Sequence, residues 1–166
     1  MNIITKCPLA SAFIYLMGIV SISLFSQMSI AGQQIVSSSY VAQNNVVQIQ
    51  VSYTANSGLS GLGLRLHFNS KQLLFTQLDQ TLFDGLVSEQ RPVEDTEDYD
   101  RDPLTDSYIL VAWADIFNGN WPNTRFSDVL LYNASFTWDT NKTTVNYTAS
   151  STAVKHELVA ESILIQ

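Results

Sequence analysis

Hydrophobic and polar residues alternate along most of the chain. In "VVQIQVSY", Val47, Ile49, Val51 and Tyr53 fall on one side, and Gln48, Gln50 and Ser52 on the other. "LGLRLHF" repeats the pattern: Leu62, Leu64, Leu66 and Phe68 point in, Arg65 and His67 out. "VLLYNASFTW" places Leu130, Tyr132, Ala134, Phe136 and Trp138 inward against Asn133, Ser135 and Thr137, and "TTVNYTA" aligns Val145, Tyr147 and Ala149. A period of two marks antiparallel strands with one dry and one wet face. "SYILVAWA", 107–114, is apolar on both faces, as in a strand within a sheet. "IVSSSYVA", "KQLLFTQL" and "ELVAESILIQ" complete the set.

The runs are separated by "QNN", "ANSGLSG", "NSK", "FNGNWPN" and "DTNK", rich in residues that turns require. Only "DQTLFDGLV", 79–87, has the pattern of a helical turn. The expected fold is all-β, a two-sheet antiparallel sandwich of jelly-roll type with about eight or nine strands. One stretch, 88–106, is too long and irregular for a simple turn, and loops of that length are usually functional or disordered.

The beginning of the chain differs from the rest. Residues 1–31 have one charge, Lys6, and an apolar run from Ala12 to Phe25. "MSIAG" follows, with Ser29 and Ala31 at the −3 and −1 positions of a signal-peptide cleavage site. The apolar run is shorter than the ~20 residues of a spanning helix. Cys7 lacks the Leu-x-x-Cys context of a lipoprotein anchor. The expectation is a signal peptide over 1–31 and one β-sandwich domain over 32–166. The mature protein would be secreted (extracellular, cell-surface or periplasmic), without a membrane span and monomeric. Cleavage removes the only cysteine, so packing must stabilise the domain without a disulfide. Loss of Lys6 takes the formal charge from −7 to −8. An acidic chain without a basic run is a poor partner for nucleic acid or anionic lipid.

The segment "VVQIQVSYTANSGLSGLGLRLHFNSKQLLFTQL" resembles the opening half of a cohesin domain: an alternating valine strand, a Gly-Leu turn, a Leu-x-Phe-Asn strand end, then a Leu-x-Phe strand. "VLLYNASFTW" and "TTVNYTASST" resemble the closing strands, so the likeness spans about 35–165. It implies a nine-stranded jelly roll, related in fold to some carbohydrate-binding modules. It also implies a protein partner, dockerin-like or of another kind, held on an exposed sheet face. The expected function is a non-catalytic binding module in an extracellular or cell-surface assembly. The alternative is a carbohydrate-binding module acting on extracellular polysaccharide.

Candidate chemistry is concentrated in "EDTEDYDRDPLTD", which carries Glu94, Asp95, Glu97, Asp98, Asp100, Asp102 and Asp106 against Arg101 alone. Asp98, Asp100, Asp102 and Asp106 fall at the first, third, fifth and ninth positions of an EF-hand loop. The match fails at Pro103, where the turn needs Gly, and at Ile109, where a bidentate Glu belongs. Three readings follow: a looser calcium site made by those four aspartates, a solvated acidic loop, or a protein-docking patch. Asp115, Asn118 and Asn120 form a second oxygen-rich group, roughly 25 Å away along an intervening strand. In "NGNWPN", Trp121 is either a sugar-stacking contact or a ring folded over the sandwich edge, whereas Trp113 and Trp138 read as core. His67 and His156 read as solvent-facing. No Gly-x-Ser-x-Gly, His-Glu-x-x-His or phosphate-binding Gly loop occurs, so an enzyme is not expected. Asn133, Asn141 and Asn146 stand in glycosylation sequons, a pattern that Asn/Thr-rich strands generate by chance.

Overall fold

The computed structural model describes residues 34–55, 58–116, 119, 121–122, 128–150 and 158–166. The signal-peptide expectation, Asn118, Asn120 and His156 lie outside them. Every regular element among the described residues is a strand: β1 (Gln34–Gln43), β2 (Val46–Ala55), β3 (Gly61–Phe68), β4 (Leu73–Asp79), β5 (Leu86–Glu94), β6 (Ser107–Ala114), β7 (Val129–Trp138), β8 (Thr143–Ala149), β9 (Leu158–Ala160) and β10 (Ile163–Ile165). They form two five-stranded sheets, ordered β4-β7-β2-β1-β9 and β10-β8-β3-β6-β5. All named pairings are antiparallel except β1 with β9.

The alternation places the core between the sheets. Val47, Ile49, Val51 and Tyr53 of β2 face Leu62, Leu64, Leu66 and Phe68 of β3 across the sandwich, and all are buried. Phe136 packs edge-on against Phe68 and Phe75. The β1–β2 hairpin turns through Asn44 and Asn45, both at positive φ (52° and 59°). That left-handed pair suits the twist of a tight hairpin, and Asn tolerates it.

The expected pattern changes in four places. On β7 the register slips opposite Val51 and Ser52. This bulge carries Leu131 into the core beside Tyr132 and leaves Leu130 only partly covered, reversing the inward position expected for Leu130. The segment 79–87 contains no helix: between the end of β4 and the start of β5 it is irregular, and its Leu82 N–H donates to Leu131 O. The stretch expected to be irregular from 88 is a strand as far as Glu94. β5 lies at the sheet edge, and its register shift between Gln90 and Val93 spans Pro92. An edge bulge tolerates a residue without an N–H, so the strand survives a sequence without alternation. Finally, the closing run divides at Glu161–Ser162, giving β9 to one sheet and β10 to the other.

Gly61 is where β3 starts beside β6. Its φ is +147°, and a Cβ there would lie 2.2 Å from Trp113 O. Gly61→Ala should therefore destabilise the domain by about 1–3 kcal/mol through backbone strain, read as a lower urea midpoint.

Candidate functional site

The acidic loop, 95–106, runs between β5 and β6 and folds back over the outer face of β3 and β8. Its ends are clamped: Asp95 N–H donates to Asp106 O (2.9 Å), and Asp106 N–H to Phe68 O (3.1 Å). Internal turns follow, with Arg101 N–H on Asp98 O and Thr105 N–H on Asp102 O. Asp98 and Arg101 adopt positive φ (51° and 58°). Asn69 Nδ2 donates to Leu104 O (2.8 Å), tying the loop to the turn after β3. The Arg65 guanidinium lies 3.9 Å from the centre of the Tyr99 ring, and Tyr99 packs edge-on to Tyr108. This cation–π latch is worth about 0.5–2 kcal/mol depending on its hydration. Tyr99→Ala should loosen the loop, giving faster limited proteolysis within 95–106 with the strands still intact by circular dichroism.

The four aspartates expected to share an ion do not converge. Asp100 and Asp102 do come together: Asn146 Nδ2 donates to Asp100 Oδ2 (2.9 Å) and Asp102 Oδ2 (3.0 Å). Asp106 instead accepts from Ser70 N–H (2.7 Å) and the Ser70 hydroxyl (3.0 Å). Desolvation alone would raise its pKa, but the hydrogen bonds from Ser70 hold it below the usual carboxylate value. Asp98 is exposed at its positive-φ turn. Alternate spacing put these residues in one segment, but the chain must turn at Asp98 and Arg101 to lie over the sheet. Those turns leave Asp100 and Asp102 together and carry Asp98 and Asp106 away from them.

Among the described residues, the group that does converge is His67, Asp95 and Asp100, each offering one ligand atom within 4.8 Å of the others. His67 Nδ1 lies 2.8 Å from Asp95 Oδ2 and 3.9 Å from Asp100 Oδ1. His67 Nε2 is 2.7 Å from Thr148 Oγ1. The expected solvent-facing position of His67 is corrected: it is on the outer face of β3, as alternation requires, but the loop roofs it and it is 0% exposed. Burial lowers its pKa below the ordinary value, and the Asp100 and Asp95 carboxylates offset part of that effect. No sequence signal joined His67 to Asp95, because the two are distant in the chain and meet only through the fold-back. The sequon at Asn146 is likewise occupied structurally, its amide being the clamp between Asp100 and Asp102.

Trp121 is not a surface aromatic. It is 0% exposed, donates from Nε1 to Asp84 O (3.0 Å), and packs against Tyr53 and Trp113. A ring so enclosed cannot stack on a sugar, and the edge-folding alternative accounts for it. Trp113 is core as expected, while Trp138 packs against the core half-buried. Asp115 lies beyond the far end of β6 from the acidic loop.

No family model matches the sequence, and no curated protein does. Solved structures do match. The third cohesin of ScaC from Acetivibrio cellulolyticus, solved in complex with a ScaB dockerin, superposes with a TM-score of 0.55 at 13% identity, covering 81% of this chain and 97% of that one. The fold is cohesin-like. A Clostridium thermocellum OlpA cohesin–dockerin complex gives a TM-score of 0.52 at 9% identity, covering 80% and 96%. A non-cellulosomal cohesin of the archaeon Archaeoglobus fulgidus gives 0.52 at 16% identity, covering 80% and 88%. The cohesin-like sandwich therefore accounts for nearly the whole length of each of these modules. No helix among the described residues is long and apolar enough to cross a membrane.

Proposed function

We propose that this chain is a secreted, non-catalytic module that binds a protein partner, in the manner of cohesins. The observation that carries this reading is the near-complete coverage of cohesin modules by its sandwich, two of them solved with a dockerin. The family resemblance assigns the partner to an exposed sheet face. Here the outer face of β3 and β8 is roofed by the acidic loop, whereas Ser37, Ser39, Gln48 and Gln50 leave the outer face of β1 and β2 open. The polysaccharide alternative loses its one named aromatic contact, Trp121, to burial and keeps the fold relation to carbohydrate-binding modules as its support.

The test is calorimetric titration of the chain with a panel of dockerin polypeptides, alongside retention on insoluble polysaccharides. Saturable dockerin binding that is weakened by Gln48→Arg with Gln50→Arg would support the reading. Polysaccharide retention without dockerin binding would overturn it. Secretion rests on the leader pattern of residues 1–31. Intact mass of the exported protein should correspond to a start at or near Gly32, and a mass retaining the leader would make the domain membrane-anchored.

A further inference from the structure

Two carboxylates under the acidic loop are almost without water. The Asp95 and Asp100 side chains are 2% and 3% exposed, against a His67 side chain at 0%. Burying such charges is costly unless they are compensated. Hydrogen bonds supply part of the compensation. Tyr99 N–H reaches Asp95, and the Thr105 hydroxyl and Asn146 amide reach Asp100 Oδ2. Among the described residues, neither carboxylate pairs with a Lys or Arg; Arg65 engages the Tyr99 ring and Ala149 O.

His67 is oriented for more than an ion pair. Its Nε2 is engaged by Thr148, whereas Nδ1 is enclosed and faces Asp95 Oδ2 at 2.8 Å, off the line of a well-formed hydrogen bond. That oxygen sits beside the direction in which the ring nitrogen points. Ligand atoms of one ion are related in this way: held at ~2.0–2.2 Å from the metal in a tetrahedron, they are neighbours about 3.4 Å apart, with the ion off the line joining them.

We propose that His67 Nδ1, Asp95 Oδ2 and Asp100 Oδ1 bind one divalent transition-metal ion of the zinc or cobalt kind. The separations of 2.8 Å to Asp95 and 3.9 Å to Asp100 bracket that spacing, and each carboxylate reaches it with a shift of about 0.5 Å. The surrounding contacts are those that orient metal ligands: Thr148 on the far nitrogen of the imidazole, and Asn146 and Thr105 on the far oxygen of Asp100. An imidazole with two carboxylates suits zinc, cobalt or nickel. Calcium prefers a shell of six to eight oxygens, and the imidazole nitrogen in this group favours the softer ion. The ion would neutralise the two buried carboxylates and fasten the loop to β3.

The full chain, stripped with chelator and then freed of it, is titrated with zinc, cobalt, calcium and magnesium chlorides. One equivalent of zinc should bind and raise the melting temperature by several degrees. Cobalt should develop visible d–d absorption, and calcium and magnesium should do neither. Asp95→Asn and Asp100→Asn should each weaken zinc binding by about 100-fold or more while remaining folded by circular dichroism. His67→Gln should do the same. Should His67→Gln fail to fold, the two aspartate variants decide the matter. Absence of stoichiometric zinc binding would overturn the proposal. So would binding that survives both aspartate substitutions, or stabilisation by calcium but not by zinc.

Discussion

Trp121→Ala is expected to cost about 3–5 kcal/mol, the range for truncating a buried aromatic. The ring is fully buried and meets Tyr53 at 5.4 Å and Trp113 at 5.6 Å between ring centres. Its main chain exchanges two hydrogen bonds with Leu59, and its Nε1–H satisfies Asp84 O. Removing the indole opens a cavity at one end of the sandwich and orphans that carbonyl. Trp121→Phe should cost less, because it retains most of the packing and loses chiefly the N–H donor. Urea unfolding followed by far-UV circular dichroism measures both. A Trp121→Ala protein as stable as the parent would mean that the indole is not enclosed, reopening the sugar-contact reading.

Asn146→Asp should be the most damaging conservative change at the acidic loop, at about 3–5 kcal/mol. The amide donates to both Asp100 and Asp102, and hydrogen bonds to charged groups are worth about 1.5–3 kcal/mol each. A carboxylate in its place loses both bonds and adds a like charge beside two others, in a partly buried setting where screening is weak. Asn146→Ala loses the same bonds without adding charge, so it should be the milder variant. Equal effects of the two in denaturant titrations would show that repulsion beneath the loop is negligible.

The contrast between Trp121 and the β2 residues shows what kind of information local sequence carries. Val47, Ile49, Val51 and Tyr53 were identifiable as core because alternation is a property of neighbouring residues, and a strand obeys it wherever the sheet lies. Trp121 stood among turn residues, where no period assigns a face. Leu130 and Leu131 show the limit of the rule, since one bulge reverses the phase after it. β5 was missed because an edge strand with Pro92 at its register shift is held by pairing to β6 and needs no alternating pattern of its own.

At the candidate site, the carboxylates of 94–106 could be named from the sequence, and so could the strand carrying His67. Their mutual arrangement could not. Their spacing suggested that Asp98, Asp100, Asp102 and Asp106 act together, yet the turns at Asp98 and Arg101 keep only Asp100 and Asp102 side by side. Asp95, absent from that set, is drawn against His67 by the clamp between Asp95 and Asp106 and by the Tyr99–Arg65 latch.

The sequence by itself determined the all-β class, the two-faced strands and the hairpin at Asn44–Asn45, because these follow from side-chain period and backbone preference over a few residues. It also determined that negative charge would gather in one segment. Only the tertiary structure decided that this segment lies over β3 and β8, that His67 is enclosed, and that Asp95 and Asp100 lose their water. Those outcomes depend on contacts between residues remote in the chain, whose free energy is set by burial and by the partners the fold happens to bring within reach.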